Sequence, residues 1–149
     1  MKPVLWFRVS AVILFLFAAG HTFGFLTFRP TSAEGQAVWS AMNNVHFSEG
    51  GATFSYGNFY LGLGLFITFI DLFFAWMAWR LASMARRGVS DTSAIAWGMC
   101  ALQVIGLVLS LRYLGIPPVV FSAIAAGCLA MGALSASRQA RLTGSVGTT

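Results

Sequence analysis

The sequence predicts an all-α membrane protein: an antiparallel bundle of four transmembrane helices, with a short amphipathic helix in its first outer loop. Hydrophobic residues make up 58% of the 149-residue chain and charged residues only 9%, whereas a soluble domain carries about 25% charged residues. The apolar residues also fall into four long stretches. Each is close to the ~20 residues that a helix needs to cross a bilayer.

Each of the four stretches is predicted to be a helix, because in lipid the backbone amides of a segment must find their hydrogen-bond partners within that segment. They cover about residues 9–28, 59–79, 94–111 and 118–136. The second and third connections are short, which favours antiparallel neighbours. We therefore expect one transmembrane domain over residues 1–149, with a flexible cytoplasmic tail at 137–149.

The basic residues predict the orientation. With the N-terminus in the cytoplasm, only Arg29 and Arg112 lie outside, and the positive-inside rule is obeyed with both ends cytoplasmic. The inner residues are Lys2, Arg8, Arg80, Arg86, Arg87, Arg138 and Arg141. We expect a multi-pass protein of the bacterial inner membrane, whose net charge of +5 meets anionic lipid headgroups rather than nucleic acid.

The first outer loop, residues 29–55, contains the predicted amphipathic helix. Apolar residues recur at helical spacing between residues 34 and 45, and Glu34 stands in the first turn. Asn43, Asn44 and His46 follow at the end of this helix, and Gly50-Gly51 turns the chain towards the second span.

The second span is expected to turn one face inward. Small and polar residues share that face, which is where helices pack in lipid; they are Gly57, Gly64, Thr68, Asp71, Ala75, Ala78 and Ala82. Asp71 is the one acid inside a span, where a charged aspartate costs about 2.5–3.5 kcal/mol. A protonated Asp71 bonded to Gln103 or Thr68 would be a structural clasp; alternatively, Asp71 carries a proton or binds a ligand.

His21 lies between Gly20 and Gly24 in the first span, a pair whose spacing lets another helix come close. At similar depth Thr22, Ser110 and Ser122 would form a polar pocket open to the outside. A neutral imidazole could bind a headgroup, move a proton or ligate a metal. It could equally donate one interhelical hydrogen bond, worth about 0.6 kcal/mol.

No cofactor and no metal are expected, because two histidines without ligand spacing form no recognisable metal or haem site. The two cysteines, Cys100 and Cys128, lie inside the third and fourth spans without a Cys-x-x-Cys motif. We interpret them as buried small hydrophobic residues.

Two motifs carry a resemblance: Gly20-His21-Thr22-Phe23-Gly24-Phe25 and the segment 55–65, SYGNFYLGLGL. Together they resemble a family of small, uncharacterised bacterial four-helix membrane proteins, which implies the same fold. The architecture is also similar to the DoxX-like and the sterol-isomerase-like EXPERA families. EXPERA proteins protonate a lipid double bond with intramembrane acids and a histidine; here His21 and Asp71 would take these roles, and a second acid is absent from the spans.

The preferred function hypothesis is a non-enzymatic membrane protein that binds a lipid-like or other hydrophobic molecule within the bundle, or serves as a subunit of a membrane complex. Its partners would be membrane lipids, a small hydrophobic ligand, a second copy or another membrane protein. One alternative is an EXPERA-like enzyme using His21 and Asp71 as acid and base, and another is a proton-coupled transporter subunit. The candidate ligand-binding residues are His21, Thr22, Asn43, His46, Asn58, Tyr60, Thr68, Asp71, Gln103, Ser110 and Ser122.

Overall fold

The computed structural model describes residues 2–146 of the chain, with side chains up to residue 141. Within that range the chain forms five helices and one two-stranded antiparallel sheet. In chain order these are α1 (Pro3–Thr27), α2 (Ala33–Asn44), β1 (His46–Glu49), β2 (Ala52–Ser55), α3 (Tyr56–Arg86), α4 (Thr92–Tyr113) and α5 (Ile116–Val146).

Four of the helices are long and apolar enough to cross a membrane: Pro3–Thr27, Tyr56–Arg86, Thr92–Tyr113 and Ile116–Arg141. Even α4, the shortest with 22 residues, is about 33 Å long at ~1.5 Å per residue, more than the ~30 Å hydrocarbon core. The four predicted helices of membrane-spanning length are therefore confirmed, and each is longer than its predicted span. The short helix α2 also lies in the first long connection, where the sequence predicts it.

Local side chains explain where the helices begin and end. Pro3 occupies the first position of α1, where its missing N–H leaves no bond unmade, and Pro30 prevents the helix from continuing. At the start of α2, Ser32 Oγ accepts a hydrogen bond from the Gly35 amide at 3.0 Å. Ser55 Oγ accepts one from the Asn58 amide at 3.1 Å and so begins α3. These serines satisfy amides that the first helical turn leaves without a partner.

The end of α5 differs from the sequence prediction. The helix continues to Val146, so residues 137–146 are helical where a flexible tail is predicted, and residues 147–149 lie outside the described range. The segment contains serine, arginine, glutamine and alanine but no proline, and its only glycine is Gly144. Since these residues have adequate helix propensity, nothing in the sequence ends the helix at the membrane boundary.

The hairpin β1–β2 departs from the predicted all-α class. Gly50 and Gly51 form its two-residue turn with φ of 59° and 82°, a left-handed conformation that glycine adopts without strain and that matches the twist of the strands. Phe47 pairs with Phe54 across the strands, with ring centroids 6.1 Å apart. The hairpin thus presents phenylalanine rings beside the start of α3.

The chain divides into two compact units. The hairpin unit is Ala18–Ile70, and the core unit is formed by the chain up to Phe17 and from Asp71 onward. Within the core unit α4 and α5 run antiparallel: the Ser93 hydroxyl donates to the Ala133 carbonyl at 3.1 Å, and Cys100 Sγ donates to the Ala126 carbonyl at 3.4 Å. Both cysteines are buried and free.

The burial of α3 confirms its predicted inward face. The small and polar residues of that face are buried from position 64 to position 82, with Gly57 half-buried. Phe66, Phe69 and Phe73 on the opposite side are 63%, 68% and 55% exposed. In water so large an exposed apolar surface would be a liability, whereas a lipid-facing helix requires it.

Candidate functional site

A polar cluster joins α1 and α3 in the hairpin unit. The His21 Nε2–H group donates to the Gly64 carbonyl oxygen at 3.1 Å, because a carbonyl oxygen can only accept. Thr22 Oγ1 and Thr68 Oγ1 are 2.9 Å apart, and each hydroxyl also reaches a backbone carbonyl of its own helix. The structure therefore brings His21, Thr22 and Thr68 together through bonds to one another and to the backbone, a grouping that the sequence analysis did not predict.

A pocket of about 230 Å³ lies in the same unit, where the end of α1, the helix α2 and the first turns of α3 meet. Its polar lining consists of Arg29, Asn43, Asn58 and Tyr60, and its apolar lining includes Phe25, Leu26, Trp39, Met42 and Leu61. Three predicted ligand-binding residues, Asn43, Asn58 and Tyr60, thus line one pocket. We refer to it as the Arg29 pocket.

Arg29 is the only lysine or arginine between residues 18 and 70. Its Nη1 donates to the backbone carbonyls of Leu26 and Phe28 at 3.3 and 2.6 Å. Its Cζ lies 5.7 Å from the centre of the Trp39 ring, within the range of a cation–π interaction. No carboxylate of the described residues forms an ion pair with it, so the guanidinium keeps N–H groups for a ligand.

Aromatic rings form the wall behind Arg29. Tyr60 packs against Phe25 with centroids 5.0 Å apart and against Trp39 edge-on at 6.2 Å. Phe25 in turn stacks on the His21 ring at 5.7 Å. Because the rings fix one another, the polar cluster and the wall of the pocket form one packed assembly.

Glycines allow the close approaches in this assembly. Asn43 Nδ2 donates to the Trp39 carbonyl at 2.7 Å, and its Oδ1 packs where a side chain at Gly57 would stand. A Cβ added at Gly64 would clash with the Phe25 ring. A side chain at Gly57 would displace Asn43, and one at Gly64 would displace the Phe25 ring.

A second depression shares one lining residue, Asn58, with the pocket. This hairpin groove, of about 410 Å³, lies between the β1–β2 hairpin and α3, and Phe47, Phe54, Phe59 and Leu63 give it an apolar lining. Phe47 contacts the rings of Tyr56 and Phe59 as well as that of Phe54. Gly62 forms part of the floor, and a Cβ built there meets no described atom within 4 Å.

The next four predicted site residues belong to α3, α4 and α5. Asp71, Gln103, Ser110 and Ser122 belong to the core unit and are all buried. Ser122 Oγ lies 3.9 Å from the position of a Cβ at Gly106, which brings α5 close to α4. The Ser110 carbonyl accepts the amides of Leu114 and Gly115 at 3.1 Å each and so ends α4.

His46 lies exposed at the start of β1, where its Nδ1 is 2.9 Å from the Asn44 carbonyl oxygen. Among the residues that the structure describes, no three histidine, cysteine, aspartate or glutamate side chains come together as a metal site. A Cβ built at Gly20 or at Gly24 also meets no described atom within 4 Å, so this predicted packing pair shows no close helix approach in that range.

Sequence reasoning missed Arg29, Trp39 and Phe25 as pocket residues. Arg29 and Trp39 read as ordinary interface residues, because basic and aromatic side chains gather at membrane boundaries without any special function. The available signal was that Arg29 is the single cation of a long segment rich in aromatic residues.

Comparison with known proteins identified no relatives: no protein-family model matches the sequence, and neither curated proteins nor solved structures gave a match.

Proposed function

We propose that this chain is a multi-pass membrane protein that binds a lipid-like amphiphile in the Arg29 pocket. Its four long helices would cross the bacterial inner membrane as an antiparallel bundle with both ends in the cytoplasm. The distribution of basic residues supports this orientation, and the Gly20–Phe25 and 55–65 motifs support the bacterial four-helix class.

The observation that carries the proposal is the mixed lining of the pocket. Ligand sites are concave and mostly apolar, with a few convergent polar groups that fix orientation. Here an aromatic wall stands beside a guanidinium and two side-chain amides. An amphiphile is the class of molecule that satisfies both kinds of lining.

Two neighbouring asparagines of α2 provide a matched test. Asn43 and Asn44 are both exposed and both donate four residues back, to the Trp39 carbonyl and to Ser40 Oγ. Only Asn43 lines the pocket. Native mass spectrometry of protein extracted gently from its membranes should show a bound amphiphile in the wild type and in Asn44→Leu, with most of it lost from Asn43→Leu. Equal retention by the two variants, or no bound molecule in any of them, would refute the proposal.

The catalytic and transport hypotheses depend on His21 and Asp71 instead. A histidine that exchanges protons with a substrate needs an accessible ring nitrogen, and one of the two ring nitrogens of His21, Nε2, already donates to the Gly64 carbonyl. This contact favours a structural role for His21. Asp71→Asn, which leaves the His21 ring in place against Phe25, should retain the amphiphile in the same experiment; its loss would favour the intramembrane site over the Arg29 pocket.

A further inference from the structure

We infer that the ligand of the Arg29 pocket is an anionic amphiphile, with its head held by Arg29 and its hydrocarbon tail lying in the hairpin groove beyond Asn58. The inference rests on the proposed function and names the class of its ligand. Neither the sequence motifs nor the pocket alone specifies that class.

The sign of the head group follows from the polar atoms of the pocket. Arg29 contributes a positive charge with free N–H groups, Asn58 a side-chain amide, and Tyr60 a hydroxyl. No aspartate or glutamate is among the lining residues. Carboxylate and phosphate groups match a guanidinium in charge and geometry, whereas a cationic head would meet Arg29 with no acid to offset it.

The pocket is large enough for a head group but too small for a whole amphiphile. Its volume of about 230 Å³ is below the ~300–1,000 Å³ of typical small-molecule sites. The hairpin groove adds about 410 Å³ of almost wholly apolar space and shares Asn58 with the pocket. Its one charged lining residue is Glu49, whose negative charge disfavours a second anionic group in the groove. The groove therefore suits the hydrocarbon tail.

The two parts of the site should contribute unequally to affinity. Lipid chains are as apolar as leucine, so a tail that leaves the bilayer for the groove gains little. A hydrogen bond to a charged group contributes about 1.5–3 kcal/mol, or about tenfold to a hundredfold in Kd. Removing the Arg29 charge should therefore weaken binding more than filling the groove does.

The test compares three probes and four variants in dodecyl maltoside micelles, with Kd measured by native mass spectrometry. The probes are dodecyl phosphate, dodecyltrimethylammonium and inorganic phosphate. Arg29→Gln removes the charge, and its control is Arg112→Gln, because Arg112 stacks on Tyr113 at 5.6 Å much as Arg29 stacks on Trp39. Gly62→Leu fills the groove, and its control is Gly20→Leu, since a Cβ at either glycine stands in open space.

Dodecyl phosphate should bind the wild type and both controls with the same Kd, and at least tenfold more tightly than dodecyltrimethylammonium. Arg29→Gln should raise the Kd for dodecyl phosphate by about tenfold to a hundredfold. Gly62→Leu should raise it by only about threefold, in keeping with the small gain from moving a tail between apolar surroundings.

Two results would overturn the inference while leaving the proposed function intact: a cationic probe that binds as tightly as the anionic one, or equal Kd values for Arg29→Gln and Arg112→Gln. Inorganic phosphate binding as tightly as dodecyl phosphate, with no effect of Gly62→Leu, would make the ligand a free anion and overturn the assignment of the groove. If neither amphiphile bound the wild type, the proposed function itself would fail.

Discussion

Thr22 and Thr68 show how single hydroxyl groups connect α1 with α3. Their Oγ1 atoms are 2.9 Å apart, and Thr68 is buried while Thr22 is half-buried. In a membrane, hydrogen bonds between helices average about 0.6 kcal/mol and reach ~1.7 kcal/mol. The contact should therefore contribute modestly to the free energy of unfolding, and single and double variants can measure that contribution.

We expect Thr22→Val and Thr68→Val each to lower the free energy of unfolding by about 0.6–1.7 kcal/mol. The double variant should lose less than the sum, because either substitution already breaks the shared bond. Thermal unfolding in detergent provides the measurement.

Thr27→Val is the matched control for this cycle. The Thr27 hydroxyl donates to the Phe23 carbonyl at 2.7 Å, as the Thr22 hydroxyl does to the Ala18 carbonyl. Within the described residues Thr27 makes no bond to another helix. Strictly additive losses, or a loss in Thr27→Val as large as in Thr22→Val, would contradict the assigned role of the contact.

At the scale of elements, α5 packs against α1 in the core unit through a glycine. Phe7 is fully buried, and its ring occupies the space that a Cβ at Gly132 would need. Because the fully buried Phe7 ring has no free volume to move into, α1 and α5 can come this close only where residue 132 has no side chain.

Gly132→Ala should therefore lower the free energy of unfolding by about 1–3 kcal/mol, the usual result of overpacking. Gly127→Ala, on the same helix, should be neutral or stabilising by up to ~1 kcal/mol, because its Cβ meets no described atom. Unfolding in detergent compares the two variants. Combining Gly132→Ala with Phe7→Leu should recover part of the lost free energy of unfolding. If nothing were recovered, the destabilisation would have a cause other than the clash with Phe7.

The sequence predicts some elements better than others for physical reasons. The inward face of α3 was predictable because a long helix repeats its pattern over many turns, from Gly64 to Ala82. The strands β1 and β2 have only four residues each, too few for an alternating pattern to stand out. Gly50-Gly51 marked a turn, but only the pairing of Phe47 with Phe54 makes it a hairpin.

The Arg29 pocket was only partly predictable for a different reason. Asn43, Asn58 and Tyr60 were candidates, whereas Arg29 and Trp39 acquire their role when three separate segments of the chain meet. Such a site depends on tertiary approach, which local patterns do not encode. For His21 the sequence left an interhelical hydrogen bond open as one alternative, and the structure shows such a bond from its Nε2 to the Gly64 carbonyl.

At the scale of the whole molecule, the charges between the helices determine how the chain would insert. Each membrane-crossing helix reverses the side on which the next connection lies, so four crossings place both ends together. Arg86 ends α3 and Arg87 lies in the α3–α4 connection, while α2 and the hairpin hold Glu34 and Glu49. In the orientation that we propose from the positive-inside rule, the α3–α4 connection would lie in the cytoplasm and the hairpin outside.

Labelling of single cysteines tests this topology. In a Cys100→Ala/Cys128→Ala background, Ser48→Cys and Ser90→Cys place a thiol in β1 and in the α3–α4 connection, at exposed positions on either side of α3. A membrane-impermeant maleimide should label Ser48→Cys in intact cells and Ser90→Cys only after lysis, because the proposed orientation puts Ser90 and seven of the nine basic residues on the cytoplasmic side. The reverse pattern would refute the orientation. Labelling of both from the same side would show that α3 does not cross the membrane, and the four-span topology would fail with it.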